Sequence, residues 1–216
     1  MAPGARRLSG PGVESGPQTI GGKVDGAHLG LTFSGFQQWK LDGHVVCGYL
    51  GAFLPWHGID QFVRAIADQL SAAPHLKLLL VGDGPTFDDL KQFIVTRGLD
   101  QQVVMTGRVP HDAVPGLLAA MDMAILPSAG DYTSPVKLFE FMACGIPPIA
   151  PDFEPIKEIV VEGKTGWMFK AGDLEAAVKA VLERSGDADA LAKVGAALRE
   201  PRYERHGRGR KTRRLP

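Results

Sequence analysis

A lysine and a glutamate stand at the start of a predicted helix, directly after a loop of small and turn-forming residues at 127–135. Ser134 suits the N-cap and Pro135 suits the first helical position. Lys137 then falls in the first turn, where the helix dipole disfavours a cation unless an anion shares the site. Glu140 follows three residues later, and the alternative is an exposed ion pair worth about a few tenths of a kcal/mol. Together, the loop, the helix start and the lysine favour an anion site.

Two glycine-containing loops follow predicted strands and could approach a phosphate closely. The first holds Gly51, His57 and Gly58 ahead of a helix, and such a junction offers unpaired N–H groups and a positive dipole end. His57 could donate to a phosphate oxygen, while the commoner role of a single loop histidine is solvation or capping. The second holds Gly82 and Gly84 and lacks the third glycine of a dinucleotide fingerprint. We interpret it as a structural turn at the rim of a nucleotide site.

Apolar runs alternate with segments of helical period, which is typical of βαβ units around a parallel sheet. The runs are nearly all apolar, so helices should cover both faces of the sheet. We predict an α/β fold, a single doubly wound Rossmann-like domain with a parallel sheet, which binds ligands at the carboxyl ends of its strands. The predicted strands are 45–50, 76–81, 102–106, 123–126, 146–150 and 166–169, and the predicted helices are 58–72, 86–97, 111–120, 134–143, 154–162, 173–184 and 187–199.

Composition divides the 216 residues into three zones. Residues 1–43 are rich in Gly, Pro and Ser without a sustained period, so we expect an irregular, disordered or loosely draped segment. Residues 44–200 form the predicted domain. Residues 201–216 hold seven Arg or Lys against one Glu, and we expect a solvated basic tail rather than a contact with nucleic acid or lipid.

The overall balance of charge and cysteine excludes several classes of protein. The formal net charge is zero, which gives no reason to expect a nucleic-acid partner. Cys47 and Cys144 belong to no CxxC or Cys/His cluster, so we expect two reduced core thiols, a cytoplasmic protein and no bound metal. The chain has no apolar stretch long enough to span a bilayer, although peripheral membrane association through a partner domain stays open.

The run from Ser134 to Pro147 resembles the donor-site signature of family 4 (group 1) glycosyltransferases, retaining enzymes of the GT-B fold. Five further segments resemble that family's C-terminal domain and occur in the family's order: residues 48–58, 80–85, 105–110, 124–128 and 162–167. The resemblance implies a GT-B C-terminal, Rossmann-like domain that binds a UDP- or GDP-sugar as its donor substrate, with no separate cofactor.

The resemblance also implies roles for single residues. Glu140 matches the glutamate that holds the ribose hydroxyls, since a carboxylate accepts from two vicinal hydroxyls at once. Val136 and Lys137 match the helix start that binds the diphosphate through backbone N–H groups. The loop at 51–58 would close over the pyrophosphate. Stabilisation of the departing diphosphate is then the main catalytic task of this half, and Lys137 and Glu140 are its candidate catalytic residues.

Other positions match less closely. Gly107, Arg108 and Val109 match the loop beside the base. Tyr132 stands where the family has the first glutamate of its pair, and Asp131 beside it could take over that role. In the family this region contacts the donor sugar, so the identity of the sugar does not carry over.

The phosphate-binding loop departs from the family as well. Ala52 and His57 stand where the family has an arginine and a lysine. A branch of the family with the pattern Ser-Pro-x-Lys-Leu-Phe-Glu places a lysine at the position of Lys137. We therefore expect Lys137 to supply the missing charge.

Length bears on how complete the enzyme is. A GT-B enzyme has two Rossmann-like domains, and about 44 residues before the first strand are too few for the N-terminal one. We expect a truncated or rearranged chain that lacks the acceptor domain, with a separate N-terminal Rossmann domain as a possible partner and an unknown acceptor (glycan, lipid or small molecule). The alternatives are a non-catalytic nucleotide-binding module or inactive fragment, a GT-B-fold sugar epimerase and, last, an NAD oxidoreductase.

Overall fold

The computed structural model describes residues 39–128 and 136–200, which form alternating strands and helices. Apart from two short 3-10 helices, Pro55–His57 and His111–Ala113, the elements are β1 (Val45–Leu50), α1 (Ile59–Leu70), β2 (Leu76–Val81), α2 (Phe87–Thr96), β3 (Val103–Gly107), α3 (Val114–Ala119), β4 (Met123–Ile125), α4 (Val136–Ala143), β5 (Pro148–Pro151), α5 (Glu154–Lys157), β6 (Trp167–Phe169), α6 (Leu174–Ser185) and α7 (Ala188–Arg199).

The six strands form one sheet in the order β3-β2-β1-β4-β5-β6, and every paired strand runs parallel to its neighbour. This is the doubly wound order, in which the chain reverses its direction of winding between β1 and β4. The predicted α/β Rossmann-like class is confirmed, and each predicted strand corresponds to an observed one.

Helices cover both faces of the sheet, as the apolar strands require. In α1 the buried residues recur at the spacing of a helix face, from Ile59 through Phe62, Val63 and Ile66 to Leu70. They join α2, α6 and α7 in the larger core cluster. The opposite face carries a second cluster with α3 and part of α4, and a third cluster beside α5.

Two details differ from the sequence-based expectations. Helix α5 ends at Lys157, well short of residue 162, because the chain turns toward β6 and the Thr165 hydroxyl accepts from the N–H of Val161 at 2.7 Å.

Cys47 is a fully buried free thiol, as predicted. Cys144 is also free but exposed, so the expectation of two core thiols is wrong for it. It follows α4 on the side that carries the exposed Glu140.

Several predictions concern residues outside the described ranges: most of the segment 1–43 and the basic tail 201–216. Within the described residues, no helix is long and apolar enough to cross a membrane.

Candidate functional site

In a sheet of this order, ligands bind in the crevice at the switch point, here between the carboxyl ends of β1 and β4, where the connections leave toward opposite faces. The β1–α1 loop borders this crevice on one side. On the other side stand residues 127–128, which follow β4, and the start of α4. The two sides touch, because a Cβ atom at Gly58 would lie 3.2 Å from the Cβ of Ser128. The two segments that the sequence singled out for anion binding therefore meet at one place.

Lys137 connects the two sides of the crevice. It lies in the first turn of α4, yet a Cβ atom at Gly51, just past β1, would collide with its Nζ atom. The same Nζ is 5.8 Å from the centroid of the Tyr49 ring, at the end of β1. Only glycine leaves room for the ammonium at position 51. The side chain of Lys137 thus crosses from the β4 side of the crevice to the β1 side.

Lys137 is a half-buried cation whose ammonium has no close counter-ion among the described residues. Burial lowers the pKa of Lys137, and the carboxylate of Glu140 offsets part of that effect. Within residues 39–128 and 136–200, no carboxylate lies within ion-pair distance of Nζ. A half-buried ammonium of this kind is poised to accept an anionic ligand.

His57 is held by the carbonyl of Ala52 in the same loop. Its Nδ1 atom is 2.7 Å from the Ala52 oxygen, and the Tyr49 hydroxyl donates to that oxygen at 2.8 Å. A carbonyl only accepts hydrogen bonds, so Nδ1 carries a hydrogen and donates it to the Ala52 oxygen. The Ala52 side chain is exposed, and its main-chain oxygen organises the loop.

Gly82 and Gly84, in the loop after β2, pack against the backbone of the β1–α1 loop. A Cβ atom at Gly82 would collide with the carbonyl oxygen of Gly51, and one at Gly84 would lie 2.7 Å from the amide nitrogen of Phe53. The N–H of Phe53 donates to the main-chain oxygen of Asp83 at 3.0 Å. These glycines pack backbone against backbone, so the segment is a structural turn; its place at the rim of a nucleotide site stays a prediction.

The other predicted site residues in the described ranges lie on α4 and at the end of β3, and they differ in their exposure to solvent. Glu140 and Val136 are exposed on α4. Gly107, at the end of β3, accepts from the N–H of Gly82 at 3.2 Å. Arg108 is exposed after it, whereas Val109 packs against the second core cluster. Thus the proposed base loop lies beside the β2 loop, on the β1–β2–β3 side of the crevice.

Four predicted residues, Asp131, Tyr132, Ser134 and Pro135, lie outside the described ranges. Within those ranges, no group of three or more His, Cys, Asp or Glu side chains could hold a metal ion.

Tyr49 is the residue of this region that sequence reasoning missed. It is 4% exposed and contacts both the loop and Lys137. In the sequence it is one apolar-type residue among others in a strand, because no local spacing shows that its hydroxyl reaches a carbonyl three residues later.

Comparison with known families gives a match over residues 44–187, more than half of the chain, to the model described as glycosyl transferases group 1. The chain belongs to this family of glycosyltransferases. The match spans the strands, both glycine loops and α4, so the whole crevice lies inside the family's region.

Two relatives illustrate the range of this glycosyltransferase family. The 2-deoxystreptamine N-acetyl-D-glucosaminyltransferase of Streptomyces fradiae is 30% identical over 167 residues, which cover 76% of this chain and 39% of the relative. The GDP-mannose-dependent alpha-(1-6)-phosphatidylinositol monomannoside mannosyltransferase of Mycolicibacterium smegmatis is 30% identical over 161 residues, covering 72% of this chain and 42% of the relative. The chain therefore spans about two fifths of the length of these relatives.

A solved structure agrees with the family assignment. The Anabaena protein Alr3699/HepE, crystallised in complex with UDP-glucose, superposes with a TM-score of 0.65 at 25% identity. The superposition covers 77% of this glycosyltransferase chain and 46% of the Anabaena chain.

Proposed function

We propose that this chain is the donor-binding half of a retaining glycosyltransferase and that its crevice holds the diphosphate of a UDP- or GDP-sugar. The observation that carries the proposal is the position of the Lys137 ammonium against the backbone of Gly51, between the ends of β1 and β4. This half would lower the barrier to glycosyl transfer by stabilising the charge on the departing nucleoside diphosphate.

Lys137 is the proposed partner of the diphosphate. Its ammonium is half-buried and lacks a close carboxylate in the described part of the chain, so the free protein holds a cation whose charge is incompletely balanced. A diphosphate in the crevice would supply the missing negative charge. The start of α4 would add N–H groups and the positive end of the helix dipole, and the same arrangement would favour the leaving group as its charge develops.

Glu140 is the proposed ribose ligand. It is exposed on α4 one turn after Lys137 and has no ion pair among the described residues, so its oxygens are available to hydroxyl donors. Since one carboxylate accepts from two vicinal hydroxyls, it would fix the nucleoside while Lys137 holds the phosphates.

The binding site for the acceptor substrate would lie on a second domain. The chain spans about two fifths of the relatives' lengths, which leaves room in a complete enzyme for an N-terminal domain that carries the acceptor site. Large apolar side chains of the β1–α1 loop and of α4 are open to solvent: Trp56 is 67% exposed, Val136 55% and Phe139 52%. A second domain, in the same polypeptide or as a separate chain, would cover them.

Calorimetry of the chain with UDP, GDP, their sugars and NAD tests the proposal. We expect UDP or GDP to bind, and Glu140→Ala to weaken binding about 150-fold or more, since two hydrogen bonds to a charged acceptor, each worth about 1.5 kcal/mol or more, are lost. Glu175→Ala is the matched control, because Glu175 is also exposed but lies in α6, after the edge strand β6. Nucleotide binding that survives unchanged in Glu140→Ala would contradict the ribose role.

The same titrations separate the alternatives. Tight binding of NAD in place of UDP and GDP would identify an oxidoreductase and overturn the proposal. UDP binding without turnover, even after an acceptor domain is added, would favour a non-catalytic nucleotide-binding module. Epimerisation of UDP-N-acetylglucosamine would identify a sugar epimerase.

A further inference from the structure

Tyr49 contacts three polar groups around the proposed phosphate site: the Ala52 carbonyl, the His57 imidazole and the Lys137 ammonium. It is the next-to-last residue of β1, 4% exposed, with its ring packed edge-to-face against Phe53 at 5.7 Å between centroids. A buried phenol needs a hydrogen-bond partner. It finds one in the main-chain oxygen of Ala52, to which it donates at 2.8 Å.

The Ala52 oxygen receives two hydrogens at once. The second comes from Nδ1 of His57 at 2.7 Å, and the Tyr49 oxygen lies 3.3 Å from the same Nδ1 atom. The three groups form a closed triangle that fixes the orientation and tautomer of the imidazole. Nε2 has no protein partner in the described part of the chain and lies on the far side of the ring from this triangle.

The same tyrosine also contacts the cation. The Lys137 ammonium lies 5.8 Å from the centroid of its ring, within the range of a cation–π interaction, and beside Gly51. Tyr49 thus touches two groups from different elements, the imidazole of the β1 loop and the ammonium of α4.

We propose that Tyr49 is a positioning residue of the donor site, whose hydroxyl locks the β1 loop and His57 and whose ring orients Lys137. The inference rests on the proposed function. Through these contacts Tyr49 would act on the diphosphate without touching it. Burial and the nearby Asp60 carboxylate raise the pKa of Tyr49, so the phenol stays a hydrogen-bond donor throughout the physiological pH range.

The variant Tyr49→Phe separates the two parts of this role, because it keeps the ring beside Lys137 and removes only the hydroxyl. We expect the affinity for UDP to fall by up to about five-fold, because the β1–α1 loop loses an internal hydrogen bond of about 1 kcal/mol and must then be ordered when the ligand binds. The affinity for UMP, which lacks the second phosphate, should change by less than two-fold. If the chain binds GDP instead, the comparison is GDP against GMP. Equal losses for diphosphate and monophosphate, or no loss for either, would overturn the inference.

A second measurement does not depend on nucleotide binding. In ¹⁵N-labelled wild-type protein, at a pH where the ring is neutral, His57 should show the tautomer protonated at Nδ1, and Tyr49→Phe should give a mixture of tautomers. A wild-type ring protonated at Nε2 would refute the triangle, even if the variant fails to fold. Failure of the wild type to bind UDP or GDP refutes the proposed function alone, since the tautomer is measured without ligand.

Discussion

Replacing Lys137 with methionine gives the sharpest test of the crevice. Methionine keeps most of the length and apolar contact of the lysine stem and removes the charge. In the proposed complex Lys137 makes a charge-assisted hydrogen bond to the diphosphate, in a half-buried place beside the Tyr49 ring. Such bonds contribute about 1.5–3 kcal/mol, so the dissociation constant for UDP should rise about 10- to 150-fold.

Although its affinity for UDP falls, the nucleotide-free variant should be at least as stable toward unfolding as the wild type. Burial lowers the pKa of Lys137, so the native state binds this proton more weakly than the unfolded chain does. Below this lowered pKa, the protonated lysine therefore opposes folding, and stability is regained as pH rises from the lowered pKa to the higher pKa of the unfolded chain. At neutral pH Lys137→Met should unfold at the same temperature as the wild type or a higher one.

Two assays on the same samples check this reasoning. Calorimetry at neutral pH measures the UDP affinity, and a thermal melt with and without UDP measures the stabilisation that binding confers. Lys193→Met is the matched control, because Lys193 is exposed on α7 and has no ion pair among the described residues. UDP affinity of Lys137→Met within about three-fold of the wild type would refute the role of the ammonium.

Two further predictions use the same crevice. Gly51→Ala should displace the Lys137 ammonium and weaken UDP binding about five- to ten-fold. It should also lower stability in urea denaturation, because the new methyl would lie 3.1 Å from the buried Tyr49 hydroxyl as well. Gly186→Ala, where the new methyl meets only ordinary contacts, is the control. The UDP affinity of the wild type should fall as pH rises through the lowered pKa of Lys137, below 10.5, because the bound diphosphate favours the protonated amine. The variant Lys137→Arg stays charged and should keep its affinity over the same range. Calorimetric titrations across this alkaline range measure both affinities, and parallel pH curves for the two proteins would contradict the assignment.

Much of the fold was predictable because its signals are local. Each of the six strands is an apolar run followed by turn residues, and the spacing of apolar residues in α1 already describes a helix with one buried face. A chain with this alternation has few ways to bury its apolar strands other than a parallel sheet between two helical layers. The prediction erred where a local pattern was too weak to decide, as in α5, whose apolar residues 159–161 belong to the turn before β6.

The sequence by itself determined which residue types stand at the candidate site: a lysine and a glutamate one turn apart on α4, glycines after β1, and no arginine or lysine in that loop. Only the tertiary structure decided that the Lys137 ammonium reaches Gly51, and that the Tyr49 hydroxyl and the His57 imidazole share the Ala52 oxygen. The physical reason is that helix and strand periods are set within a few residues. The meeting of β1 with α4, 85 residues or more apart along the chain, depends on how the whole sheet is wound.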